Sequence, residues 1–384
     1  MDYDFKTLNT GGGVHPFAAM NGATDPSIIT FSVAEMRLNI APEITRGMHR
    51  IVDIGSFGYF PPEKERYDAA VCGWMKRRHS WEIQPEWAVQ TAGVVTAMGI
   101  AVRALTEPGD GVIIQTPVYM HFYDEVKTNG RALIENPLIE KDGVWTMDFE
   151  DLEKKAADPN AKMLMLCSPH NPIGRVWTRE ELQRVGEICL KHNLYVFCDE
   201  IHFDLILSGE HTVLTEAVPA LKDRVIIGTA PSKTFNLAGN ALSNIIIPNE
   251  ALRRRFEEDA GRYCGHYTGT FAFASTTAAY EEGDAWLEAL LAHLRSNRAL
   301  LEARLKALIP GVVLSPLEGT YLQWIDLRCL GLEPEQLMKK LEEAQIFVNN
   351  GTDFGTAGAG WVRFNLACPA SAIEAAMDRL AAVL

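Results

Sequence analysis

The sequence predicts an α/β fold whose sheet is mostly parallel and covered by helices on both faces. Two observations predict it. The middle of the chain alternates short, nearly uninterrupted apolar runs with amphipathic helical patterns, and continuous apolar runs are what strands buried on both faces require. Those runs also end, one after another, in short polar clusters, as strand ends at a ligand-binding sheet edge do.

The elements follow in order. The stretch through about Asn39 carries turn signals at Gly11-Gly12-Gly13, His15-Pro16 and Asp25-Pro26 and reads as an irregular arm. Strand candidates lie at 111–115, 162–167, 194–198, 225–228 and 243–247. A helix over 179–192 opens with Thr178 and Glu181 in capping-box spacing. Beyond about residue 283 the pattern changes to α+β. A long helical stretch over 285–308 stops at Pro310-Gly311, and a strand over 320–326, a helix over 334–344, a Gly-rich loop, a strand over 361–366 and a terminal helix follow. The expected division is an N-terminal arm at 1–45 that joins part of a small domain, a large domain at 46–282 and a small C-terminal domain at 283–384.

Composition narrows the function. The chain has 384 residues, 47% hydrophobic and 22% charged, the balance of a soluble globular protein. A formal net charge of −14 argues against nucleic acid or anionic membrane partners. The seven cysteines are odd in number and form no CxxC pair, so reduced thiols in a cytoplasmic protein are expected rather than disulfides or zinc. No apolar run is long enough to span a bilayer, and residues 1–6 lack the apolar core of a secretory signal. The Gly-rich stretch 351–360 neither follows a strand nor opens a helix as a dinucleotide fingerprint does.

Four strand ends pool reactive side chains at one edge: Tyr119, Asn171, Asp199 with His202, and Thr229 with Ser232 and Lys233. Lys233 is suited to a Schiff base with a carbonyl. Asp199, ending a buried strand, requires a cationic partner, and the protonated ring nitrogen of pyridoxal 5′-phosphate (PLP) is one. Asn171 is placed to donate to the ring oxygen and Tyr119 to stack on the ring. Ser232, Thr229 and the backbone amides of Gly93, Val94 and Val95, which lead into a helical pattern, are placed to bind the phosphate. Taken singly, each residue has an ordinary reading as a turn, cap or solvated side chain; their joint order favours the cofactor site.

At these residues the sequence resembles fold-type I PLP enzymes of the aminotransferase class I/II superfamily, and within it the MalY/PatB-type cystathionine β-lyase (C–S lyase) branch. The resemblance rests on Phe57-Gly58-Tyr59, Trp74 to His79, Gly93-Val94-Val95, Ser168-Pro169-His170-Asn171-Pro172-Ile173-Gly174, Asp199 to Leu205, Ala230 to Gly239 and Val362-Arg363-Phe364-Asn365. It implies a large domain with a mostly parallel seven-stranded sheet. It also implies Lys233 as the Schiff-base lysine and base at the substrate Cα, Asp199 on the ring nitrogen, Tyr119 on the ring, and Arg363 on the substrate α-carboxylate. It further implies a homodimer in which Tyr59 reaches the phosphate of the neighbouring site. His202 is read as a hydrogen-bonding residue under the cofactor. The implied reaction is β-elimination from cystathionine or an S-substituted cysteine, giving a thiol, pyruvate and ammonia. The alternatives are an aminotransferase, including one specialised for an unusual amino acid, and a regulatory protein on the same scaffold. Two segments depart from the branch. Ser32-Val33-Ala34-Glu35-Met36-Arg37 stands where a Trp-Val-Ala-Asp-Met-Asp-like segment is usual, and the Gly11 to Phe17 stretch lacks the usual Ser-x-Lys-Trp-Asp pattern.

Overall fold

The structure is a computed structural model and describes residues 3–13, 19–20, 23–25, 27–56, 63–263 and 269–384. Its centre is a seven-stranded sheet. The strands are β1 (Ala88–Thr91), β2 (Gly111–Thr116), β3 (Ala132–Pro137), β6 (Ala161–Cys167), β7 (Tyr195–Asp199), β8 (Val225–Thr229) and β9 (Ser243–Ile246). They lie in the order β1-β9-β8-β7-β6-β2-β3. All neighbours are parallel except at β9, which runs against both β1 and β8. Between β3 and β6 a small hairpin pairs β4 (Ile139–Lys141) with β5 (Val144–Thr146).

Alternate residues of the central strands enter two different cores. Met163, Met165, Phe197 and Ile226 pack on one face beneath the helices Val94–Leu105 and Glu250–Tyr263. Leu164, Leu166, Val196, Cys198, Val225 and Ile227 pack on the other, with Leu182, Val185 and Ile188 of the helix Arg179–Lys191. Each fully buried side chain of this kind contributes roughly 1.5–3 kcal/mol. Two covered faces explain why these strands read as unbroken apolar runs. The helix Arg179–Lys191 begins with the expected reciprocal cap between Thr178 and Glu181.

A second, four-stranded antiparallel sheet joins β10 (Val313–Leu314), β11 (Leu322–Asp326), β13 (Trp361–Asn365) and β12 (Asn349–Asn350) in that order. The long helix Asp284–Leu308 leads into it, and the helix Ala370–Ala381 follows it. The Gly-rich loop is two 3₁₀ turns, Gly351–Phe354 and Thr356–Gly358. Gly351 and Gly358 are there because the two backbones touch: a Cβ on Gly351 would sit 2.0 Å from Gly358 O. This contact holds Phe354, whose carbonyl accepts from Val118 N and from Tyr123 Oη, both at 3.0 Å. The turn thereby ties the smaller sheet to the end of β2.

The central strands and the large C-terminal elements match the sequence reading within a residue or two. Strands β1, β3, β10 and β12 were not read from the sequence. β1 and β3 carry little fully buried surface, and β10 and β12 have two residues each.

Gly351→Ala should destabilise the folded protein by at least about 1–3 kcal/mol, the usual cost of overpacking. A denaturation midpoint equal to that of the unmutated protein would show that the turn relaxes without effort.

Candidate active site

Parallel register brings the ends of β2, β6, β7 and β8 to one edge. Cys167 pairs with Asp199, and Asp199 with Gly228. β1 runs in the same sense as β8, so Thr91 delivers Ala92 and Gly93 to that edge too. Gly93 adopts φ 141° and ψ 157°, a conformation essentially confined to glycine. It turns the chain into the helix Val94–Leu105, whose first residues have no side-chain cap. Their free N–H groups form an anion-binding end.

A cavity of about 260 Å³ opens there. Gly93, Val94, Val95 and Thr96 line one part of it; Tyr119, Asn171, Asp199, His202, Ser232 and Lys233 line the rest, with Ala34. Nine of the residues expected at the site therefore share one cavity. Thr229 does not. As the last residue of β8 its hydroxyl turns into the sheet and donates to Asn244 O at 2.8 Å, which leaves Ser232 and the helix amides as the anion donors. Tyr59 lies outside the described residues. Arg363 is a neighbour rather than a wall, through its hydrogen bond to Asn171.

The charged groups are poorly compensated by the protein itself. Asp199 is 5% exposed and accepts from Ile201 N at 3.1 Å. Burial pushes its carboxyl up to about 7, against the backbone bond and the nearby Lys233 charge. Each factor of ten in proton affinity is worth about 1.4 kcal/mol, so the folded protein bears several kcal/mol of unmatched burial at this one group. Burial, helped by the Arg363 charge, pulls the Lys233 ammonium down to about 8. The amine is thus freed as a nucleophile or base at mildly alkaline pH, well below an ordinary lysine's range. Its Nζ donates to Ala34 O at 2.7 Å. Arg363 is 3% exposed and, among the described residues, donates only to neutral acceptors: Asn171 Oδ1 at 2.9 Å, Ser32 O at 2.8 Å and Asn349 Oδ1 at 2.7 Å. Its Nε has no hydrogen-bond partner among the described residues. Burial lowers its pKa to about 10, and the nearby Asp353 offsets this only in part. With Oδ1 so engaged, the Nδ2 of Asn171 is its available donor.

His202 is 3% exposed, and burial holds it neutral, well below its ordinary range. Its Nδ1 has no partner among the described residues, so the expected hydrogen bond is not made at that atom.

Several supporting residues escaped the sequence reading. The segment 32–37 covers the site from the N-terminal side. Asn365 Nδ2 donates to Val33 O and Glu35 O, both at 2.7 Å. Tyr321 Oη donates to Ala34 O at 2.9 Å, and Asn236 brackets Met36 with two hydrogen bonds. Behind Lys233, the buried Asp204 accepts from Trp74 Nε1 at 3.0 Å and from Thr234 Oγ1 at 2.7 Å, and pairs with His79 Nε2 at 2.7 Å. The Trp74 to His79, Asp199 to Leu205 and Ser232 to Asn236 motifs thus meet in one network. Only their proximity in space, not their spacing in sequence, reveals it.

In protein with no cofactor bound, Asp199 stays protonated to about pH 7 when folded, against 3.8 ordinarily. The folded state therefore binds the extra proton across that window, and this group's contribution to stability falls as pH rises through it. Cofactor-free protein should lose more stability between about pH 4 and about pH 7 than the Asp199→Asn variant does. Parallel stability curves for the two would remove Asp199 as the titrating group.

Comparison with known proteins agrees with this arrangement. The profile of the family "Aminotransferase class I and II" matches residues 26–380. Cystathionine beta-lyase PatB of Bacillus subtilis is 40% identical over 365 residues, 94% of each chain. The crystal structure of cystalysin from Treponema denticola, described as containing a PLP cofactor, superposes with a TM-score of 0.96 at 41% identity, covering 100% of this chain and 99% of that one. The PLP-bound C-S lyase of Staphylococcus hominis superposes at 0.90 with 28% identity, over 100% and 98%. A match across nearly the whole chain, at such identity, makes the protein a member of the aminotransferase class I and II family.

Proposed function

We propose that the protein is a PLP-dependent carbon–sulfur β-lyase that cleaves cystathionine or another S-substituted cysteine to a thiol, pyruvate and ammonia. One observation carries the reading: a partly buried lysine, a buried carboxylate that this lysine only partly compensates and a helix N-terminus share one cavity in a chain of this family. Relatives named cystathionine beta-lyase and C-S lyase support the choice of reaction.

The residues fit PLP. Its phosphate suits the free amides of 93–96 and Ser232. Its basic ring nitrogen would supply the positive charge that Asp199 lacks. Tyr119 would stack on the ring, Asn171 would donate to the ring oxygen, and Lys233 would carry the aldehyde. When bound, PLP supplies an electron sink for charge that develops at the substrate Cα.

The chain's own residues do the rest. Arg363 holds the α-carboxylate, replacing neutral acceptors with an anion in a bidentate geometry suited to guanidinium. Lys233, uncharged at mildly alkaline pH, takes the Cα proton. The Cβ–S bond then breaks, the sulfur leaves with its electron pair, and a protonated group returns a proton to it; the enamine product, once released, takes up water to give pyruvate and ammonia. Tyr119 is the candidate donor, because burial raises its pKa and keeps its hydroxyl protonated. The segment 32–37 covers Lys233 and limits water at the reacting atoms.

The active unit in this reading is a homodimer in which Tyr59 reaches the neighbouring phosphate site. An apolar hollow lined by Ile51, Ile54 and Phe273, beside the exposed Val52, suits a second copy. The chain divides at about residues 45 and 282, with the arm joining the smaller sheet. Cytoplasmic location is consistent with the absence, among the described residues, of any helix long and apolar enough to cross a membrane.

Incubated with L-cystathionine and PLP but no keto-acid acceptor, the protein should release pyruvate. Lys233→Ala should abolish this and the borohydride-stable attachment of PLP. Turnover that depends on an added keto acid would instead make the protein an aminotransferase.

A further inference from the structure

A second cavity of about 780 Å³ adjoins the first, sharing Ala238 and the segment around Ala34 and Glu35. Its wall includes Asn9, Glu35, Arg37, Arg46 and Asn236. Arg46 is matched by acids, with Glu282 at 3.1 Å and Glu43 at 3.8 Å. Arg37 also lies beside an acid, Glu35, but its hydrogen bonding is incomplete. It is 8% exposed, yet Nε and Nη2 make no hydrogen bond among the described residues. Its one ion pair among the described residues, Nη2 to Glu35 Oε1 at 2.8 Å, is close but not aligned as a hydrogen bond. A guanidinium in that state is under-solvated, and burial lowers its pKa despite Glu35.

Its position along the chain matters as much as its burial. Ser32 O accepts from Arg363, Ala34 O accepts from Lys233, and Arg37 N donates to Ala367 O. The same short segment therefore passes the α-carboxylate site, then the reacting lysine, then Arg37, within a chain length of at most about 18 Å. A substrate held by Arg363 and reacting at Lys233 has its sulfur substituent left to extend toward the third point. Arg37 also occupies one of the two acidic positions at which this segment departs from the branch pattern.

We propose that the second cavity is a subsite for the leaving group and that Arg37 binds a carboxylate at its far end. The substrate class is then thioethers of cysteine whose sulfur substituent is itself anionic at its terminus. This rests on the lyase reading for the chemistry but not for the binding. A charge-assisted hydrogen bond typically contributes about 1.5–3 kcal/mol, which corresponds to discrimination of about tenfold or more.

Two substrates of equal shape test it: S-carboxyethyl-L-cysteine and S-isopentyl-L-cysteine, assayed with the PLP-loaded protein by pyruvate release. The carboxylate should be preferred in kcat/KM by about tenfold or more. Arg37→Met should erase that preference and Arg37→Asp should reverse it, with the bound chromophore unchanged. The same contrast should appear in the dissociation constants of L-aminopimelate and L-aminoheptanoate, which have no sulfur to lose. A ratio near one for the unmutated protein overturns the proposal, whatever the variants do. So does a preference that survives Arg37→Met. If neither thioether yields pyruvate while aminopimelate still binds through Arg37, the lyase reading fails and the subsite stands.

Discussion

The arrangement depends on one buried carboxylate. Asp199 ends a central strand at the sheet edge, almost out of water, with Lys233 as a partly compensating neighbour. Burying an unmatched charge is costly enough that folded proteins avoid it unless a ligand completes the pair. In the proposed reading the cost is tolerated because the same edge supplies further contacts suited to one cationic, phosphate-bearing ring. The anion end at Val94, the amine of Lys233 and the aromatic face of Tyr119 all border one cavity. Arg363 repeats the logic in reverse: a buried cation surrounded by neutral acceptors awaits an anion. Asp199 and Arg363 thus set opposite charges near one cavity, with Asn171 bonded to Arg363, and the proposed reading pairs the first with a cationic cofactor and the second with a substrate carboxylate.

Much of this was legible before any coordinates. Parallel strands buried on both faces leave continuous apolar runs, and the polar residues that follow such runs must lie at one edge. That rule placed Tyr119, Asn171, Asp199, His202, Ser232 and Lys233 together. It failed for Thr229, because the last residue of a strand has two faces and sequence does not say which one turns inward. Strands β10 and β12 were invisible for a simpler reason: two residues carry no periodicity.

The contacts of the network around Asp204 and of the covering segment 32–37 could not be read from local pattern. Their contacts join positions far apart in sequence, as when Asn365 holds Val33 and Glu35 or Asp204 draws in Trp74. Such contacts depend on tertiary geometry that local pattern does not encode. The segment nevertheless stood out as a departure from its branch, and the structure gives that departure a location. It crosses the cavity mouth with its carbonyls bonded to Arg363, Lys233 and Asn365, so changes in its side chains alter the approach to the site while its backbone contacts persist.

The most direct test of the central claim looks at the ring nitrogen that Asp199 is argued to neutralise. With nitrogen-15 in the ring of bound PLP, the chemical shift reports whether that atom carries a proton. The account predicts a protonated nitrogen throughout the neutral pH range in the unmutated protein and an unprotonated one in Asp199→Ala. An unprotonated nitrogen beside an intact Asp199 would contradict it.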